Sequence, residues 1–252
     1  MDVAAVLALF DATMRADPPQ EIGVTSEWSG EVLRRLGPYN FIEWWTFGAQ
    51  GAHAAVAREA AHFRASGGQL EWKVHGHDRP GNLEEVLARA GFEPDEPETL
   101  LAFDLVAPAP ATPRASGPEV RRVTDRAGLA DLLEVNAAAF GQAQAWQGAA
   151  FAPRLGDPTL GLYIAYAEGR PGASGRLEMP HDRVFAGLYG GGTAPGFRGR
   201  GAYRALVGAR AEEARRQGYR YLIVDAAETS RPILERLGFE PLAEVRGWRL
   251  GE

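Results

Sequence analysis

Arg198, Gly199, Arg200 and Gly201 stand directly before a run of helical periodicity, a grouping suited to binding a phosphorylated ligand. A helix leaves its first backbone N–H groups without internal partners, and its dipole favours negative charge at the same end. Glycine lets an anion come close to that backbone, and two guanidinium groups add charge-assisted donors. The helix reads from Tyr203, Leu206, Val207, Ala211 and Ala214 on one side and Arg204, Glu212, Glu213, Arg215 and Arg216 on the other, with Gly218 as its stop. Before it, Val184 to Tyr189 has the β-branched and aromatic content of a buried strand. Gly190-Gly191-Gly192 then permits a bulge or a close backbone approach.

Spacing narrows the ligand. The nucleoside triphosphate loop Gly-x-x-x-x-Gly-Lys-Ser/Thr is absent, because Gly191 to Gly196 is followed by Phe197 and Arg198. The dinucleotide fingerprint Gly-x-Gly-x-x-Gly fails too, since Gly199-x-Gly201 runs on to Arg204 and Gly190-x-Gly192 to Pro195. What is left is Arg198-Gly199-Arg200-Gly201-Ala202-Tyr203 behind Thr193-Ala194-Pro195-Gly196-Phe197. It resembles the pyrophosphate loop of the GNAT superfamily of acyl-CoA-dependent N-acyltransferases, with its pattern Gln/Arg-x-x-Gly-x-Gly/Ala. The likeness continues through a strand at Tyr219 to Ala226, a short helix at Thr229 to Leu237 and the ending Leu237-Gly238-Phe239, and covers about residues 119 to 252. An ordinary βαβ unit would explain that order of elements but not the two arginines at the helix start.

The resemblance implies an acyl-CoA held between two splayed parallel strands. Backbone contacts to its pantetheine arm would fall at Gly192, Thr193 and Ala194, and pyrophosphate contacts at Arg198, Gly199, Arg200, Gly201, Ala202 and Tyr203. Tyr203 departs from the small residue of the pattern. Many relatives protonate the leaving thiolate with a tyrosine on the closing helix, in a segment like Asn-x-x-Ala-x-x-Leu-Tyr; here Leu234 holds the tyrosine position and Ala227 the asparagine position. Ser230 stands at the alanine position, and Tyr189 lies on the first splayed strand; both are weak catalytic candidates, and helix-start bonding and core packing are their plainer roles. The implied reaction is N-acetyl transfer from acetyl-CoA to a primary amine on a small molecule or peptide. A thiol-cofactor biosynthetic or drug-modifying enzyme is a narrower version, and a non-catalytic acyl-CoA-binding regulatory module the alternative.

The positioning elements occur twice. The first copy reads as a helix over residues 2 to 16, strands around Ile22 to Trp28, Glu31 to Leu36 and Asn40 to Phe47, a helix from Gly51 to Ala65, a strand from Gln69 to His75, a helix from Leu83 to Ala90 and a strand from Thr99 to Val106. An offset of 150 maps Phe47 onto Phe197, Gly51 onto Gly201 and Gly68 onto Gly218; an offset of 147 maps Gly91-Phe92-Glu93-Pro94 onto Gly238-Phe239-Glu240-Pro241. The expected fold is α/β with a mixed sheet, in two tandem GNAT-like domains: 1–106, a proline- and alanine-rich linker at 107–118, and 119–252. In the second, Asp125 caps a helix to Phe140, a looser helix covers Gln142 to Leu155, and Leu160 to Ala167 and Ala173 to Met179 form a hairpin. Gly48-Ala49-Gln50 replaces Arg198-Gly199-Arg200 in the first copy, which is therefore expected to have lost coenzyme binding.

His75-Gly76-His77-Asp78 offers only part of a metal site, with no third separated ligand, so no metal is expected and Asp78 reads as a turn former. Glu43-Trp44-Trp45 and Glu71-Trp72-Lys73 concentrate aromatic weight on two neighbouring strands, either as core or as a wall for a substrate cation. The 252 residues are 45% hydrophobic and 24% charged, a globular composition, and the absence of cysteine excludes thiol catalysis and disulfides. A net charge of −6 argues against a nucleic-acid surface. No apolar run has the roughly 18 residues a membrane helix needs, and Val3 to Phe10 lacks the basic flank of a signal peptide. Cytoplasmic residence is the default expectation, and a homodimer stays open.

Overall fold

The computed structural model describes residues 1–21, 23–106, 117–141 and 145–250; most of the expected linker, 107–116, lies outside them. The elements in chain order are α1 (Val3–Phe10), β1 (Thr25–Ser29), β2 (Val32–Leu36), β3 (Phe41–Trp45), α2 (Ala49–Ser66), β4 (Glu71–His75), α3 (Leu83–Arg89), β5 (Phe92–Pro94) and β6 (Glu98–Asp104). They continue with β7 (Glu119–Arg122), α4 (Arg126–Phe140), α5 (Ala145–Phe151), β8 (Leu160–Ala167), β9 (Arg170–Glu178), β10 (Phe185–Thr193), α6 (Ala202–Arg216), β11 (Tyr221–Ala227), α7 (Arg231–Arg236) and β12 (Glu240–Leu250). Two compact units result: Met1–Leu101 with Asp225–Arg231 and Pro241–Glu252, and Ala102–Val224 with Pro232–Glu240. No helix among the described residues is long and apolar enough to cross a membrane.

In the first unit the strands run in the order β1-β2-β3-β4-β12, with β5 on β12. β3 and β4 are parallel, in register at Phe41 with Glu71 and Ile42 with Trp72. Trp45, Phe47, Trp72 and Phe92 pack around one another with ring centroids 5.7 to 6.2 Å apart, under the buried face of α2. The aromatic residues of these strands are therefore mainly core, where their large apolar area contributes most. α1 is followed by one π-helical turn, Asp11–Arg15, that brings Arg15 inward to 1% exposure.

β12 is absent from the sequence reading. Its buried residues, among them Val245, Gly247, Trp248 and Leu250, do not alternate regularly and are interrupted by Arg246 and Arg249, so no period of two is visible. It pairs antiparallel with β4 from Val245↔His75 to Arg249↔Glu71, which places the C-terminal strand in the first unit rather than with the sequence half that contains it.

The second unit has the order β11-β10-β9-β8-β7. α6 packs on β8, β9 and β10, and α4 on β9 and β10. The β8–β9 hairpin turns over only Glu168-Gly169, at φ 54° and 74°, the left-handed pair of a type I′ turn, with Ala167 opposite Arg170. Pro171 and Gly172, expected in the loop, are instead strand residues beside a register shift at Ala165/Tyr166. The expected cap is present: the Asp125 carboxylate accepts the Gly128 N–H at 2.8 Å. Asp125→Ala should cost about 1 kcal/mol, read as a melting point lower by about 2–4 °C.

Candidate coenzyme site

β10 and β11 run parallel and are in register only at Phe185–Gly187 with Tyr221–Ile223. Beyond that, β10 keeps its antiparallel pairing to β9 but slips between Tyr189 and Gly192, where Gly190 takes φ 56°. This is the bulge the glycines allow, and the glycines remain within the strand. At Gly192 a Cβ would stand 2.8 Å from Ala139 Cβ and the Phe140 ring, so glycine is required where the end of α4 presses on the strand.

From Thr193 the chain folds back through a 3₁₀ turn, Pro195–Phe197. The Ala194 N–H donates to Gly172 O (2.9 Å), the Phe197 N–H to Ala194 O (2.9 Å) and Arg198 Nε to Thr193 O (3.3 Å). Phe197 wedges onto Gly172, with Arg170 and Arg200 over its ring at 5.2 and 5.8 Å. Gly199 and Gly201 are left-handed at φ 74° and 80°, and Gly201 is the N-cap of α6, with no side-chain cap. A Cβ on Gly196, Gly199 or Gly201 would meet no heavy atom within 4 Å, so the helix start faces open space. Arg198, Arg200 and Arg204 are exposed around it. Arg200 reaches Glu168 at 3.4 Å in an exposed pair worth about 0–1 kcal/mol, little hindrance to an anion.

The Tyr203 side chain bears on Gly191, 2.9 Å from where a Cβ would stand there, so the ring turns towards the strand while the residue's amide stays in the first turn of α6. Behind the helix start lies Arg210, 1% exposed, which the apolar periodicity missed although it falls four residues after Leu206 and four before Ala214. Its Nε donates to Leu206 O (3.1 Å) and its Nη1 to Arg176 O (3.0 Å), tying α6 to β9. Burial lowers its pKa to about 10 against the opposing influence of Tyr203 and Tyr163. Also missed is a buried polar chain: Ser174 donates to Asn136 Oδ1 (2.5 Å) and Asn136 to Gln147 Oε1 (2.8 Å), linking α4 and α5 to the β9 residue opposite Gly192.

The first unit repeats the parallel pair but not the cradle. α2 begins at Ala49, so the Gly51 and Ala52 amides already donate to Gly48 O at 3.0 and 3.2 Å, whereas their counterparts Gly201 and Ala202 form the helix start itself. The Glu31 carboxylate comes within 3.6 Å of where a Cβ on Gly51 would stand, placing a negative charge at this helix start. Past Ile42, the edge of β3 is taken by Arg15, whose Nε donates to Glu43 O at 3.1 Å.

Neither weak catalytic candidate stands in a distinctive setting. The Tyr189 ring lies against Gly187 and under Arg176, 5.2 Å from its centroid. The Ser230 hydroxyl donates to Ala227 O at 3.1 Å, a local turn contact. Leu234 is fully buried. Among His75, His77 and Asp78, the Asp78 carboxylate is held by Arg15 (2.7 Å) and by the His75 N–H (2.8 Å), and burial drives the His75 pKa well down. No group of three or more His, Cys, Asp or Glu among the described residues could hold a metal ion.

With this geometry in place, comparison with known proteins identifies the fold. No curated protein sequence matches the chain significantly. Among solved structures, a GCN5-related N-acetyltransferase from Kribbella flavida is similar at TM-score 0.72 and 16% identity over 99% of this chain and 94% of that one. A functionally unknown conserved protein from Staphylococcus epidermidis gives TM-score 0.70 and 15% identity over 97% and 98%. A tandem GNAT protein from the clavulanic acid biosynthesis pathway gives 0.65 and 17% over 99% and 95%. These likenesses show that the chain shares its fold with these proteins, a tandem GNAT protein among them. The model of the acetyltransferase (GNAT) family matches residues 129–239, which span the bulged strand, the arginine-glycine loop and α6.

Proposed function

We propose that the second unit binds acetyl-CoA and transfers its acetyl group to a primary amine. The observation that carries this reading is the open helix start at Gly199–Tyr203, flanked by exposed Arg198 and Arg200 and joined to a bulged strand end. The residues fit the coenzyme. Backbone groups of Gly192, Thr193 and Ala194 would hold the pantetheine arm, and the N–H groups of Gly199 to Tyr203 with both guanidinium groups the pyrophosphate. When bound, the coenzyme supplies a thioester activated towards amines. The chain's part is to fix that group along β10 and to admit the amine in its neutral form. The proton an amine loses equals the one a departing thiol needs, so Leu234 in place of a tyrosine removes one route for it, not the reaction.

The missing tyrosine and asparagine also favour a second reading, a module that binds acetyl-CoA without consuming it. Release of free thiol from acetyl-CoA, followed across a panel of primary amines, separates the two. Amine-dependent release with at least one acceptor is expected; tight binding with no release on any acceptor would leave the regulatory reading.

A further inference from the structure

On α4, Leu132, Asn136 and Phe140 follow one another at four-residue steps and so share one face of the helix. Leu132 and Asn136 are buried, but Phe140 is 48% exposed. Its ring nonetheless bears on β10, with two ring carbons 2.8 Å from where a Cβ on Gly192 would stand. We propose that the Phe140 ring is a binding surface for the pantetheine arm of the coenzyme, packing on the arm's apolar segments beside Gly192; this deepens the acyl-transfer reading above and rests on it.

A single exposed aromatic side chain is ordinary on a protein surface; the placing of this one is not. The helix closes without it, through Gly141 at φ 74°, whose N–H donates to Ala137 O at 3.0 Å. One turn before Phe140, Asn136 accepts from the Ser174 hydroxyl (2.5 Å) and donates to Gln147 Oε1 (2.8 Å). Ser174 is the β9 residue in register with Gly192. A buried polar chain therefore fixes the last turn of α4 against the strand pair that carries the bulge, and so sets where the ring stands. The strand edge beside it suits an extended ligand. β10 is in register with β11 only as far as Gly187, Gly190 faces open space, and Gly192 brings no side chain between strand and ring. A pantetheine arm alternates amide groups with methylene and methyl groups. Its amides match the backbone groups of the strand, as in the addition of a strand to a sheet edge, and its apolar segments match the half-exposed ring.

Calorimetric titration of the intact protein and its Phe140→Ala and Phe140→Leu variants tests this, with acetyl-CoA and with ADP, which has the diphosphate but no arm. Acetyl-CoA affinity is expected to fall about tenfold in Phe140→Ala and less in Phe140→Leu, which keeps apolar surface at the same place. ADP affinity should be the same in all three proteins, which also shows that the arginine-glycine loop is intact in the variants. Equal acetyl-CoA affinity in the wild type and Phe140→Ala, or an equal loss of affinity for acetyl-CoA and ADP, would overturn the contact. Failure of the wild type to bind acetyl-CoA would instead overturn the proposed function, so the two failures are distinct.

Discussion

Arg15→Met lowers the unfolding free energy by about 3–5 kcal/mol, the expected cost of removing one partner from a buried ionic network. The guanidinium group is almost fully enclosed and donates to Asp11 (2.7 Å), Asp78 (2.7 Å) and Glu43 O (3.1 Å). Without it the Asp78 carboxylate, itself largely buried and holding the His75 N–H, loses its guanidinium partner, and burial holds the neighbouring His75 imidazole's pKa well below its ordinary value. Trp44, with Arg15 5.3 Å from its ring centroid, loses packing as well. Urea unfolding checks the magnitude. Asp78→Asn combined with Arg15→Met should recover part of the loss, because the stranded charge is then gone. A cost below about 1 kcal/mol would show that Arg15 is not what fills the opening beyond Ile42 in the first unit.

The Arg198→Ala, Arg200→Ala double variant is expected to bind acetyl-CoA at least about 100-fold more weakly, since each charged hydrogen bond to a phosphate contributes about 1.5–3 kcal/mol. Both side chains are exposed, and the Arg200–Glu168 pair is a surface contact, so the melting temperature should hardly move. Added salt should weaken the wild type more than the variant. Calorimetry at two ionic strengths reads both effects. Unchanged affinity would remove the two arginines from the site.

Legibility followed locality. The arginine-glycine loop, the helix after it and the strand before it are set by neighbouring residues, and α6 begins at Ala202 as its glycine pattern suggests. The bulge too was legible, because successive glycines announce a weakened strand. By contrast, β12 pairs with a strand more than 160 residues earlier in the chain, and its irregular burial carries no period from which that partner could be read. Arg15 and Arg210 were hidden for a related reason. Each is a charged residue on an apolar helix face, and only the folded chain shows that backbone carbonyls receive them. Glu98 gave no signal either, since its pKa is pushed up to about 7 first by burial and then by the charge of Asp225, and both follow only from the folded chain. The first unit's helix start also departs from the repeat: its hydrogen bonding sets in three residues earlier than the offset of 150 implies, which consumes the amides the second unit leaves facing outward.

The decisive measurement is the amide NMR spectrum of the intact chain titrated with CoA. Large, saturable shifts at the Gly199, Gly201, Ala202 and Tyr203 N–H groups, with those of Gly48 to Ala52 unmoved, are the predicted result. Shifts centred on Gly48 to Ala52, or a saturated complex in which the Gly199–Tyr203 signals stay in place, would contradict it.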